Sequence, residues 1–331
     1  MGTIAALAGG VGAARFLRGL VRAVPAEDVV IIGNTGDDEV FHGLHVSPDL
    51  DTVTYTLAGA VGPAGWGLAD DTFRTLEAYA RYGEATWFRL GDADLATHLY
   101  RTSRLREGAT LTEVTAEITL AWDVKARLLP MSDDRVATVI DVARASAAAH
   151  AAPVGGTPPI PPGGGPPVRM AMQEWFVRER AQPPVAAVHF EGADKAKPGP
   201  AVLDALAEAD AVLLCPSNPV ISIGPILALP GVRDVLRRRR AQVIGVSPII
   251  RGATVKGPAD RLMAAAGIEV SCAGIASIYS DICATLLVDE SDADRAADVE
   301  AHDVRAAVAP ILMRDADGAA DLARRALDLI R

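Results

Sequence analysis

The stretch Thr3-Ile4-Ala5-Ala6-Leu7-Ala8-Gly9-Gly10-Val11-Gly12-Ala13-Ala14-Arg15 decides the fold. Its first six residues are almost wholly apolar, the pattern of a short strand buried on both faces. Three glycines follow. Then Phe16, Leu17, Leu20, Val21 and Val24 recur at helical spacing until Pro25 stops the helix. A second apolar run at 29–32 completes a β-α-β opening. Further runs at 185–190, 211–215, 243–246 and 286–288 alternate with helical stretches at 201–209, 231–239 and 258–266. This alternation predicts an α/β fold: a doubly wound, mostly parallel Rossmann-like sheet with a largely helical insertion. The core is expected from 1–70 and 185–331, and the insertion from 71–184.

Inside the insertion, Asp70 or Asp71 is placed to cap a helix running to Tyr82, and Asp92 one running to Arg101. Thr110-Leu111-Thr112-Glu113 has the spacing of a capping box, in which hydroxyl and carboxylate satisfy orphan amides at a helix start. The segment 153–167 holds seven prolines and five glycines, cannot pack a core, and predicts a surface loop.

With 331 residues, half of them hydrophobic, the chain can bury a large core without staples. No run reaches the ~20 apolar residues of a membrane span, and the start lacks the basic region and cleavage site of a signal peptide. A cytoplasmic location is expected, with no membrane partner. Cys215, Cys272 and Cys283 are too few and too scattered for a disulfide framework or a zinc site, and read as buried small hydrophobes. A net charge of −10 argues against nucleic-acid partners but not against a small anion held locally. Only Lys125, Lys195, Lys197 and Lys256 of the 32 basic residues are lysine, which with the alanine excess reads as GC-rich coding.

Five stretches carry candidate chemistry. Gly9, Gly10 and Gly12 let the backbone approach a phosphate at a helix N-terminus, with Arg15 one turn on, although neither the Walker nor the full dinucleotide glycine pattern is met. Asn34-Thr35-Gly36-Asp37-Asp38 ends the second strand, where ligands of open α/β sheets collect; its acids suit one metal ligand and one orienting group, or simply a turn. Asp49 and Asp51 share a face if extended, or frame a helix start at 48–52. Within 89–101, His98 and Arg101 are neighbours on one helix face, suited to anion binding or to a solvated stripe. Cys215-Pro216-Ser217-Asn218-Pro219, leading to Ser222 and Gly224, puts small hydrogen-bonding groups at another strand end.

Taken in order, these motifs resemble the phospholactate and phosphoenolpyruvate transferase family of coenzyme F-420 biosynthesis. The resemblance rests on 9–12, 34–38, 48–52, Leu90-Gly91-Asp92 with Ala96-Thr97-His98, Leu129-Pro130-Met131-Ser132-Asp133-Asp134, Gln173-Glu174-Trp175, and 216–219 with 222–226. It spans about 7–281. The 153–167 loop and the last 40 residues depart from it.

The resemblance implies a donor in which guanosine diphosphate carries a three-carbon acid, phosphoenolpyruvyl or phospholactyl. The acceptor would be the ribityl hydroxyl of the deazaflavin Fo, with GMP as leaving group. It also implies Mg²⁺ and a homodimer. On that reading Asp37 with Asp38 holds the cation, Asp51 orients the hydroxyl or acts as general base, and Arg89 contacts Fo or the migrating phosphate. Gly9, Gly10, Gly12, Arg15, Asn34, Thr52, His98, Ser217, Asn218, Pro219, Ser222 and Gly224 would line the substrates. Two other readings use part of the pattern. A nicotinamide dehydrogenase shares the strand-glycine-helix start but needs a third glycine where Arg15 stands. A non-enzymatic regulator that binds nucleotide sugars shares the glycine turn and the Ser-Asn-Pro stretch, yet needs neither 48–52 nor 90–98.

Overall fold

The computed structural model describes residues 2–143 and 167–330. Seven parallel strands form one sheet: β1 Ile4–Ala8, β2 Val29–Gly33, β3 Arg127–Pro130, β4 Ala211–Leu214, β5 Val243–Val246, β6 Thr285–Asp289 and β7 Arg305–Ala309. Their order across the sheet is β7-β6-β5-β4-β1-β2-β3. β1 therefore pairs with β2 on one side and β4 on the other, and the winding reverses between β1 and β4. In open α/β sheets this reversal leaves a crevice beyond the strand C-termini, and ligands bind there.

Every residue of β1 and β2 is buried, as their unbroken apolar character requires. Helix α1, Gly10–Ala23, lies on one face with Phe16, Leu17 and Leu20 fully buried, each such side chain contributing roughly 1.5–3 kcal/mol. It packs against the terminal helix Ala316–Asp328, so closely that a side chain at Gly19 would collide with the Ala319 backbone. The three cysteines are free and buried, as expected. Among the described residues no single helix is long and apolar enough to cross a membrane.

The boundaries differ from the sequence reading in three places. The run at 185–190 is outside the parallel sheet; Val185–Glu191 is an edge strand of a three-stranded antiparallel sheet with Ala137–Val142 and Val168–Ala171. Its residues are mostly half-exposed, unlike the fully buried central strands. Conversely, β3 lies within 71–184 yet is an integral strand beside β2, its four residues too few to register as a run. β7, alanine-rich and partly exposed at the sheet edge, was likewise not expected. The Pro/Gly-rich segment 153–167 falls outside the described residues apart from Pro167.

Helices α2 Pro48–Leu57, α3 Arg74–Tyr79, α4 Asp94–Arg106 and α5 Leu111–Ala121 supply the helical part of the insertion and its approach. The capping box at Thr110 and Glu113 forms as predicted. The two expected aspartate caps form with their helices exchanged. Asp92 accepts from the Arg74 and Thr75 amides at the start of α3, while Asp71 accepts from the Ala93 and Asp94 amides at the start of α4. Each acid reaches across because the two helix starts lie side by side, and both free sets of amides are satisfied in one clasp.

Candidate active site

A cavity of about 440 Å³ opens at the strand reversal between β1 and β4. One wall is the turn leading into α1. Gly10 has φ +71°, which favours glycine, and its amide donates to Asp49 Oδ1 at 2.8 Å. Gly12 is needed for closeness, since a Cβ there would lie 2.3 Å from the Pro216 carbonyl oxygen. Ser217 fastens the other strand end by donating its hydroxyl to the Gly9 carbonyl at 2.9 Å. Gly12→Ala must therefore push two strand ends apart. We expect about 1–3 kcal/mol loss of stability in urea denaturation.

Carboxylates make up the floor. Asp49 Oδ2 accepts from Asn34 Nδ2 at 2.9 Å, and Asn34 Nδ2 also donates to the Ile221 carbonyl. Burial raises the Asp49 carboxyl from 3.8 to about 6, against the pull of its hydrogen bonds. Asp37 faces the same cavity; its Oδ1 is buried without a hydrogen-bond partner, and burial together with the Asp49 charge raises its carboxyl well above the usual range. Asp38 lies behind the wall. Its Oδ2 accepts from Ser47 Oγ at 2.6 Å and sits 3.1 Å from His45 Nε2, while burial raises its carboxyl as well.

A raised folded-state pKa means the folded chain holds the proton more tightly than the unfolded chain. Ionising Asp49 therefore costs stability as pH rises from about 4 through about 6. In chelator, the Tm difference between Asp49→Asn and the parent should shift in the variant's favour from pH 4 to pH 7. A difference constant with pH would show that Asp49 ionises as it does in the unfolded chain.

A buried charge network lines the opposite wall, with Arg101 behind it. Arg101, 1% exposed, donates through Nη1 and Nη2 to both oxygens of Asp51. The His98 ring lies between Asp51, 3.7 Å from Nδ1, and Asp94, 3.3 Å from Nε2. Tyr55 donates its hydroxyl to Asp94 at 2.7 Å. Burial, with Asp51 and Asp94 alongside, pushes the phenol far above its usual range and keeps it a donor. The remaining wall is aromatic: Trp66, Trp87, Phe88 and Phe176 line the cavity, Phe88 stacked on Phe41 at 3.9 Å between ring centres. Arg89, beside them, places its guanidinium 4.0 Å from the centre of the Phe73 ring.

Of the residues singled out from sequence, the structure brings Gly9, Gly10, Gly12, Arg15, Asp37, Asp51, Thr52, Arg89, His98, Ser217, Asn218 and Ser222 to this cavity. Asn34 acts one step back, through Asp49. Asp38, Pro219 and Gly224 do not line it: Pro219 starts a helical turn capped by Asn218, and Gly224 makes room for the Phe190 ring. Sequence reasoning placed Asp49 and Arg101 within candidate stretches but gave them no role in the site, and it did not select Tyr55, Lys256 or the aromatic wall. A usable signal was present for the last, since aromatics are only 5% of the chain and Trp66, Trp87 and Phe88 fall close together.

The family described as "2-phospho-L-lactate transferase CofD" matches residues 4–317, nearly the whole of this two-sided site and its sheet. The chain belongs to the CofD family. Membership bears out the resemblance of the ordered motifs and makes the chain a transferase of the coenzyme F-420 route. Among relatives similar to it, the phosphoenolpyruvate transferase of Streptomyces griseus is 44% identical, with 98% of each chain covered. That of Streptomyces avermitilis is 46% identical, covering 98% of this chain and 97% of its own. A UPF0052-family protein of Bacillus halodurans shares the CofD-family fold at a TM-score of 0.62 and 16% identity, over 99% of this chain and 100% of its own.

Proposed function

We propose that the chain transfers a phosphoenolpyruvyl group from a guanosine diphosphate-linked donor to the ribityl hydroxyl of the deazaflavin Fo, releasing GMP. The observation that carries the reading is the division of one cavity into a phosphate-suited wall, a carboxylate floor and an aromatic wall. The glycine turn and the N-terminus of α1 suit the diphosphate. A planar tricyclic acceptor needs flat apolar faces, which Trp66, Trp87, Phe88 and Phe176 offer. The relatives named phosphoenolpyruvate transferase favour the enolpyruvyl over the lactyl donor.

The acceptor hydroxyl oxygen attacks the outer phosphorus, its proton passing to solvent or the departing phosphate, the bond from that phosphorus to the bridging oxygen breaks, and GMP leaves with the electron pair. Most of the acceleration in such transfers comes from positioning and charge neutralisation. Among the described residues no cluster of three or more His, Cys, Asp or Glu side chains is arranged to hold a metal. Mg²⁺, however, commonly takes one or two carboxylates and completes its shell with water and substrate phosphate. The unpartnered Asp37 oxygen lines the cavity and so fits that pattern better than Asp38, which also has an unpartnered oxygen but does not line the cavity, its other oxygen accepting from Ser47 beside His45. When bound there, the cation would neutralise charge developing on the phosphoryl oxygens. Asp51, with both oxygens accepting from Arg101, is suited to orient the hydroxyl rather than to take its proton.

The test is incubation with Fo, Mg²⁺ and either enolpyruvyl- or lactyl-diphosphoguanosine, followed by mass spectrometry. GMP and a deazaflavin heavier by the phosphoenolpyruvyl group, from the first donor, is the expected result. Guanosine nucleotide binding without product from either donor would replace the transferase reading with that of a nucleotide-binding regulator.

A further inference from the structure

Some cations of this fold are held by acids, and those that line the cavity are not. Arg101 is fully engaged by Asp51, and Arg104, Arg178, Arg233 and Arg295 each hold acids. Arg15, Arg89 and Lys256 line the cavity, and none forms an ion pair with an acid among the described residues. Arg89 rests on Phe73. Lys256 donates only to a neutral group, the Ala64 carbonyl, at 2.5 Å. It is exposed at the cavity edge, and desolvation together with the neighbouring Arg15 guanidinium lowers its pKa. Two like charges brought together without a counter-ion are unfavourable, and an anion between them removes the cost. A carbonyl partner is readily exchanged for such an anion.

We infer that Lys256, acting with Arg15, is the residue by which the site distinguishes its diphosphate donor from its monophosphate product. The inference rests on the functional reading above and adds a specificity-determining residue to it. The α1 N-terminus and the glycine turn can serve any phosphate, so they hold donor and product alike. A separate pair of cations at the lip rewards the ligand with the greater charge and reach. Binding energy of that kind favours capture of the donor and leaves the product free to depart, as turnover requires. A lysine here also stands out in a chain that otherwise relies on arginine, with Lys125, Lys195 and Lys197 its only companions.

Calorimetric titration of the whole chain with GDP and with GMP tests this, in Mg²⁺-free buffer so that no cation masks the side chains. The parent is expected to bind GDP more tightly than GMP. Lys256→Ala should weaken GDP by about ten-fold and GMP by less than two-fold, and Lys256→Arg should restore most of the difference. In turnover, Lys256→Ala should raise KM for the donor and leave KM for Fo unchanged. Equal weakening of both nucleotides would make Lys256 a structural tie between its loop and Ala64, and unchanged GDP affinity would remove it from the site; either overturns the inference alone. Absence of any guanosine nucleotide binding by the parent would overturn the functional reading, and the inference with it.

Discussion

Asp37→Asn should abolish transfer, lowering turnover by at least about a thousand-fold, while leaving the fold as stable as the parent or more so. The two effects come from one feature. Asp37 is a buried carboxyl whose Oδ1 has no hydrogen-bond partner and whose ionisation is opposed by burial and by Asp49. Such a group is a liability to the unliganded fold and is explained by what it binds. Replacing the carboxyl relieves the folded state at neutral pH, because a raised carboxyl holds its proton more tightly in the folded chain than in the unfolded one. Steady-state turnover and urea denaturation on the same samples check both halves. Normal turnover would remove Asp37 from the chemistry; lost turnover with lost stability would make its role structural.

Arg101→Ala should cost about 3–5 kcal/mol of stability, the largest loss expected from a single polar substitution in this chain. Arg101 and Asp51 are both buried, and the guanidinium answers both oxygens of the carboxylate. Deleting one partner leaves Asp51 charged, buried and short of donors, next to a carboxylate at Asp94 that His98 and Tyr55 already serve. Adding Asp51→Asn to Arg101→Ala should recover part of the loss, since the stranded charge is then gone. Urea denaturation of the two single variants and the double variant measures the coupling. A loss below about 1 kcal/mol for Arg101→Ala would mean that solvent reaches Asp51 and replaces the guanidinium.

The sheet was legible because its decisive elements are local. The 3–15 stretch carries strand, turn and helix in one reading frame, β1, β2, β4 and β5 are short runs without a polar side chain, and β6 is apolar at 286–288. β3 and β7 were not, since four residues beginning with an exposed arginine and an alanine-rich edge strand carry little hydrophobic signal. Much of the site was legible for the same reason: glycines and small polar residues at strand ends have a meaning set by position. What escaped the reading depends on distance in sequence. Arg101 and Asp51 are fifty residues apart, and nothing in either neighbourhood announces their pairing. The exchanged caps show the same limit, because Asp71 and Asp92 each look like the cap of the helix that follows them, and only the lateral contact of the two helices crosses them.

That crossing governs how the aromatic wall can change. Asp71 and Asp92 tie the two ends of the intervening segment to one another, with Gly91 too close to Asp71 to tolerate a side chain. The segment between them, which carries Trp87, Phe88 and Arg89, is thus a cassette closed at its own base. Its length and aromatic content can be rewritten without moving the strand ends that hold the glycine turn. Grafting 73–90 from another member of the family is therefore the economical route to a new aromatic wall, with the two aspartates and Gly91 kept as the splice points.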